Sequence, residues 1–233
     1  MMIFIIIFLG LLPGFAWLLF YLEEDTHPEP KRIVAMVFLA GVLSAVAALV
    51  AEFFVSCAFV YGFGNCAKKV GGGVNLTPVL ILVFAVIEEV VKFGAVYLTV
   101  AKTKYFKEPI DAMVYMAVAA LGFATVENLG ALSDPGTPVL LNSIFEIATF
   151  RFVGTTLLHT LTASITGYFW ALGIRNFKNK SFLIYGLILA SALHAAFNYL
   201  ILTSGNLFYP IVFVAVVGFF TLGDFDRLKD KKL

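Results

Sequence analysis

This chain passes again and again through about twenty mostly apolar residues, with short polar stretches between. That repetition limits the fold more than any other feature. About twenty such residues are what an α-helix needs to cross the ~30 Å hydrocarbon core of a bilayer. Seven runs stand out, over residues 1–20, 33–60, 78–101, 110–131, 149–173, 182–203 and 207–223. Hydrophobic residues make up 61% of the chain and charged residues 13%, where a soluble domain has ~25% charged. One water-facing core cannot hide that much apolar side chain. In lipid each backbone polar group must be satisfied internally. The expectation is therefore an all-α, polytopic membrane protein of about seven transmembrane helices, multi-pass in the cell membrane. Residues 1–223 read as a single integral-membrane domain and 224–233 as a charged cytoplasmic tail. The first run lacks a basic n-region and an A-x-A site and is too long for a signal peptide. It reads as a retained span bent at Pro13. The second is long enough to tilt or break, and the last is short and follows a tight turn.

Basic residues in the loops set the orientation. Lys31, Arg32, Lys102, Lys104, Lys107, Arg175, Lys178, Lys180, Arg227, Lys229, Lys231 and Lys232 fall on one side, and Lys68 and Lys69 on the other. Twelve against two puts the N-terminus outside and the C-terminus in the cytoplasm. Cys66 then lies outside and Cys57 near the outer boundary, where a disulfide can persist; two unrelated buried thiols are the other reading. A net charge of +1, with no basic stripe and no Gly-rich phosphate loop, gives no reason to expect a nucleic-acid partner.

The third run, FAVIEEVVKFGAV, places Glu88, Glu89 and Lys92 near the middle of a span. Each ionised residue there costs on the order of 2.5–3.5 kcal/mol, so the three need partners or a cavity. Lys92 stands i+4 from Glu88 and i+3 from Glu89 and can pair with either. Successive residues on a helix point ~100° apart, so one acid can pair while the other faces a cavity. The next spans hold further polar groups. These are Glu127 and Asn128 in GFATVENLG, Arg151 and His159 in TFRFVGTTLLHTLTAS, and His194 and Asn198, i and i+4, in SALHAAFNYL. Counted at 1.5 Å per residue from the outer end of each run, Glu88 and His159 lie roughly 15 Å deep, His194 roughly 13 Å and Glu127 roughly 6 Å. All four can converge on one cavity opening outward. A carboxylate there offers general-base chemistry, with His and Asn to position water and hold an oxyanion. With no Ser–His–acid set or Asp pair in view, water is the nucleophile, activated by Glu or by a metal. Glu52 is a further acid without an evident role.

Glu88-Glu89-x-x-Lys92, Phe123-x-x-x-Glu127-Asn128, His159 and His194-x-x-x-Asn198, in order on successive spans, resemble the PrsW family of intramembrane proteases. That family is grouped with the CPBP proteins and type II CAAX prenyl endopeptidases. The likeness runs from about Pro28 to Asn198 and includes the acidic, proline-bearing EEDTHPEPKR. The resemblance implies a multi-span peptidase that cuts a single-span membrane protein near its extracytoplasmic side and so starts regulated intramembrane proteolysis. It implies that Glu88 or Glu89, with Glu127, activates water. His159 and His194 would orient the water or ligate a metal, and Asn198 would aid the oxyanion. Lys92, Asn128 and Arg151 would support these groups. CAAX enzymes usually carry His where this chain has Glu127, so their mechanism does not carry over cleanly. Such families are described both as metalloproteases and as glutamic proteases. No metal is expected to be required. If Zn²⁺ is bound, Glu88, Glu127, His159 and His194 are the candidate ligands, although HExxH is absent. A non-catalytic scaffold or chaperone of membrane helices, and an ion-coupled transporter, are the competing readings. Intramembrane acids and histidines mark ion pathways too, but this chain lacks the internal repeats common among transporters.

Overall fold

The computed structural model describes residues 2–23, 29–62, 76–134, 141–175 and 179–229. Among these residues all regular structure is helical. The order is α1 (Met2–Glu23), α2 (Lys31–Ser56), α3 (Pro78–Val100), α4 (Pro109–Leu132), α5 (Leu141–Phe150), α6 (Thr156–Arg175), α7 (Ser181–Ser204) and α8 (Phe208–Lys229). A π-helical turn, Cys57–Tyr61, extends α2, and a second, Arg151–Thr155, joins α5 to α6. Five helical stretches among the described residues are long and apolar enough to span a bilayer: Met2–Tyr21, Lys31–Val60, Pro109–Leu132, Ser181–Ser204 and Phe208–Leu228. Seven had been expected. The third and fifth runs do form helices, α3 and α5–α6, but their composition sets them apart. Three charged residues crowd the centre of α3, and α6 opens on TLLHTLTAS, dense in hydroxyls. Both turn this polarity inward: Glu88, Glu89, Lys92, Thr160, Thr162 and Ser164 are all buried.

The pivot of the bundle is α4. It starts at Pro109, whose fixed φ suits a first helical position. Asp111 Oδ2 accepts the backbone N–H groups of Lys107 and Glu108 at 2.7 and 2.8 Å. Its sequence AMVYMAVAALGFA is rich in small residues, and every residue from Ile110 to Leu121 is buried. Helices in lipid associate by close van der Waals packing, which small residues permit. The backbones of α2 and α4 come so close that a Cβ on Gly41 would run into the Ala119 carbonyl, and one on Gly122 into the Phe38 carbonyl. Gly41→Leu is therefore expected to destabilise the bundle by at least about 1–3 kcal/mol, seen as a lower melting midpoint in detergent. Gly94→Ala, whose Cβ meets nothing, should leave the midpoint unchanged or slightly raised.

Around α4 the outer helices expose apolar side chains, among them Phe4, Leu43, Leu98, Ile188 and Phe219, as lipid contact demands. α1 continues through Pro13. Gly205, at φ +59°, caps α7 in the left-handed conformation and makes the tight turn into α8. α8 then runs on to Lys229, past residue 224, where the charged tail was expected to start. Phe225 and Leu228 hold this last turn against the core, with Phe225 against Tyr21 at 5.8 Å between ring centroids. Cys57 is buried and disulfide-bonded. Cys66 and the EDTHP portion of EEDTHPEPKR, residues 24–28, lie outside the described residues.

Candidate active site

The bundle brings the polar residues of α3, α4, α6 and α7 into one buried cluster. Lys92 Nζ lies at its centre and donates to Glu89 Oε1 at 2.9 Å and to His159 Nδ1 at 3.0 Å. The face of the Phe123 ring stands 4.5 Å from the ammonium, close enough for a cation–π attraction. Glu89 Oε1 also accepts Thr162 Oγ1–H at 3.0 Å and His194 Nδ1–H at 2.9 Å. One carboxylate oxygen thus gathers three donors from α3, α6 and α7.

Glu88 is placed differently. It lines a cavity, and its Oε2, like Glu89 Oε2, is buried without a hydrogen-bond partner. It stands 3.7 Å from Lys92 Nζ, 3.7 Å from His194 Nε2 and 3.9 Å from His159 Nδ1. These gaps are too long for direct hydrogen bonds and fit a shared water. The sequence left open which acid Lys92 holds; in the structure it is Glu89, while Glu88 lines a cavity.

Proton positions follow from the partners. The lysine donates to His159 Nδ1, so His159 Nε2 carries its hydrogen to Glu127 Oε2, 2.8 Å away. Glu89 accepts from His194 Nδ1, which leaves the His194 Nε2 lone pair facing Glu88. The two imidazoles meet edge to face at 4.8 Å. Beyond His159, Arg151 binds Glu127 Oε2 through Nη2 at 3.2 Å and Asn128 Oδ1 through Nε at 2.6 Å. Asn128 Nδ2 donates to Thr156 Oγ1 at 3.0 Å.

Arg151 owes its position to the π-helical turn, a distortion often found at functional sites. The turn is braced by Trp17, whose Nε1–H donates to the Phe152 carbonyl at 2.9 Å. Nothing in the sequence announces the turn. Thr162 was also missed, although it stands i+3 from His159 and so shares its face.

Among the described residues two cavities reach the cluster, where one had been expected. The first, about 190 Å³, opens between α3 and α7 and is lined by Glu88, Asn198, Ile81, Phe84 and Ile201. Asn198 joins the site through this shared wall. The second, about 260 Å³, opens between α2 and α4 and is lined by Glu52, Glu127, Arg151, Phe123 and Ala48. Glu52 thereby acquires a location beside Glu127.

The family model described as "PrsW family intramembrane metalloprotease" matches residues 29–222. The chain belongs to the PrsW protease family. A protease PrsW of Bacillus subtilis is 28% identical over 225 residues, 94% of this chain and 93% of that protein. One of Geobacillus kaustophilus is 29% identical over 197 residues, 83% and 78% of the two chains. One of Oceanobacillus iheyensis is 25% identical over 197 residues, 82% and 80%. No solved structure matches the chain significantly. Membership in PrsW, with five helices apolar enough to span a bilayer, makes this an intramembrane protease.

The family description names a metal, and the donor atoms can be tested for one. Glu88, His159 and His194 each bring a ligand atom within 4.8 Å of the others. Glu127, also a candidate from the sequence, stands outside this set on the far nitrogen of His159. His159 has no lone pair to give: Nδ1 accepts from Lys92 and Nε2 donates to Glu127. An ion among these ligands would also face the Lys92 ammonium. Unit charges 4 Å apart interact by about 4 kcal/mol at an effective dielectric of ~20, and a divalent ion doubles that. With Lys92 in place the donors do not fit a zinc ion.

Proposed function

We propose that this PrsW protease hydrolyses a peptide bond of a single-span membrane-protein substrate in the outer half of the bilayer, with Glu88 as the general base toward water. The observation that carries this reading is the contrast between the paired acids. Both acids keep a buried Oε2 without a hydrogen-bond partner, but Glu89 Oε1 is committed to three donors, whereas Glu88 lines the cavity between α3 and α7.

A water between Glu88 Oε2 and His194 Nε2 gives one proton toward each acceptor. Glu88 takes its proton as the oxygen attacks the substrate carbonyl. Asn198, on the same cavity wall, donates to the oxyanion. The proton held on Glu88 passes to the leaving amine as the C–N bond breaks. Glu89, through His194 Nδ1, keeps the lone pair of Nε2 turned toward Glu88. Glu127, held by Arg151, anchors His159 and through it Lys92. No step is assigned to a metal.

The apolar mouth between α3 and α7 admits a substrate segment from the side, and the second cavity, with Glu52 and Glu127, supplies water. In this reading α3 and α5–α6 also cross the bilayer, completing seven spans. The basic loops put the N-terminus outside and the tail in the cytoplasm, so cleavage falls toward the outer face. A scaffold or transporter gives no reason for one acid to be tied down by three donors beside another that lines a cavity.

The test is cleavage of single-span proteins in reconstituted liposomes by wild type and by Glu127→Gln, with fragments mapped by mass spectrometry. Wild type should cut in the outer half of the substrate's span, with chelator making no difference, and Glu127→Gln should be at least about tenfold slower. Cuts confined to the inner half would overturn the orientation. Activity lost to chelator and restored by Zn²⁺ would overturn the metal-free mechanism.

A further inference from the structure

We propose that Lys92 fills, with its ammonium, the place a metal ion would take among Glu88, His159 and His194, and so keeps this site metal-free. The inference rests on the protease reading only for what the site is used for; its geometry stands apart. The lysine is fully buried. Its Nζ is 2.9 Å from Glu89 Oε1, 3.0 Å from His159 Nδ1 and 3.7 Å from Glu88 Oε2. It therefore lies within 4 Å of two of the three residues whose donor atoms could converge on an ion.

A ring nitrogen has a single in-plane lone pair. Zinc binds such a nitrogen at about 2.0–2.1 Å along that lone pair, the direction the ammonium already occupies. Ion and ammonium compete for one acceptor. The lysine cannot step aside easily, because its stem is enclosed and its charge is matched by Glu89 in the same turn of α3. The Phe123 ring closes the remaining side, 4.5 Å from Nζ. Lys92 is thus a positioning residue. It supplies the positive charge that would otherwise come from a metal, and it fixes the His159 tautomer so that Nε2–H meets Glu127.

The experiment measures metal directly on the full-length chain in detergent. Wild type, Lys92→Arg, Lys92→Met and Lys92→Met/His194→Ala are incubated with Zn²⁺ and desalted, and zinc per chain is measured by mass spectrometry. Co²⁺ is added in parallel, and its visible absorption reports on ligand geometry. Wild type and Lys92→Arg should hold far less than one zinc per chain. Lys92→Met should hold about one, lost again in the double variant, with cobalt bands typical of tetrahedral coordination.

A wild type that retains one zinc per chain, dependent on His194, overturns the proposal, as does a folded Lys92→Met that binds no more zinc than wild type. If Lys92→Met does not fold alone, its folded fraction is measured with and without Zn²⁺. Zinc that restores folding, by preferential binding to the native state, supports the proposal; zinc without effect overturns it. Metal content is read without reference to cleavage. A zinc-bearing wild type that cleaves sinks the lysine inference and leaves the protease reading. A zinc-free wild type that cleaves no substrate does the reverse.

Discussion

Replacing Glu88 with Gln is expected to lower the cleavage rate by about 10²- to 10⁴-fold, the usual worth of a positioned general base, with little change in melting midpoint. The substitution keeps the size of the side chain and removes only its ability to take a proton from water. Its stability cost is small because Glu88 Oε2 makes no hydrogen bond in the folded protein and stands 3.7 Å from Lys92. Lys92 keeps its bonds to Glu89 and His159 in the variant. The check is a paired measurement, initial rate in liposomes and thermal midpoint in detergent, on the same preparation. Loss of folding in proportion to loss of rate would mean that Glu88, too, only holds helices together.

Glu89→Gln should fail in the opposite way. It removes the charge that balances a fully buried lysine. It also weakens the acceptor shared by Lys92, Thr162 and His194, which ties α3 to α6 and α7. Breaking a buried ion pair from one side costs about 3–5 kcal/mol, because the remaining charge is left uncompensated. A loss of that size should appear as a much lower thermal midpoint and a poor yield of folded protein. Whatever fraction still folds should keep part of its activity. Thr162→Val, which removes one neutral donor from the same oxygen, should cost only about 0.5–1.5 kcal/mol. A Glu89→Gln protein as stable as wild type yet inactive would exchange the roles assigned to the two acids.

Much of this was readable in the chain, and the reasons differ between residues. Long apolar runs report directly on helices in lipid, so the helical class and most helix positions followed from them. Glu88, Glu89, Glu127, His159 and His194 stood out because ionisable groups in such runs are costly and need a purpose. The spacing of Glu88, Glu89 and Lys92 showed that only one acid need be paired, but not which one. That depends on Thr162 and His194 arriving from other helices beside Glu89, which no local spacing encodes.

Other features were out of reach for similar reasons. The π-helical turn under Arg151 is a single extra residue in the hydrogen-bond ladder of an otherwise ordinary apolar sequence. The two cavities depend on how α2, α3, α4 and α7 splay. Fewer helices qualify by length and composition among the described residues than there are apolar runs, because α3 and α6 carry polar residues on an inward face that composition alone cannot orient. The packing of Phe225 and Leu228 into the core was not legible either, because DFDRLK reads locally as a charged segment.

The most direct test of the central claim is to place wild type and Glu88→Gln, at equal amounts of folded protein, in liposomes with one single-span substrate and to follow the appearance of the mapped fragments. The account predicts cleavage by wild type within the outer half of the span and none detectable on the same timescale from the folded Glu88→Gln protein. Cleavage by Glu88→Gln at the wild-type rate and position would contradict it.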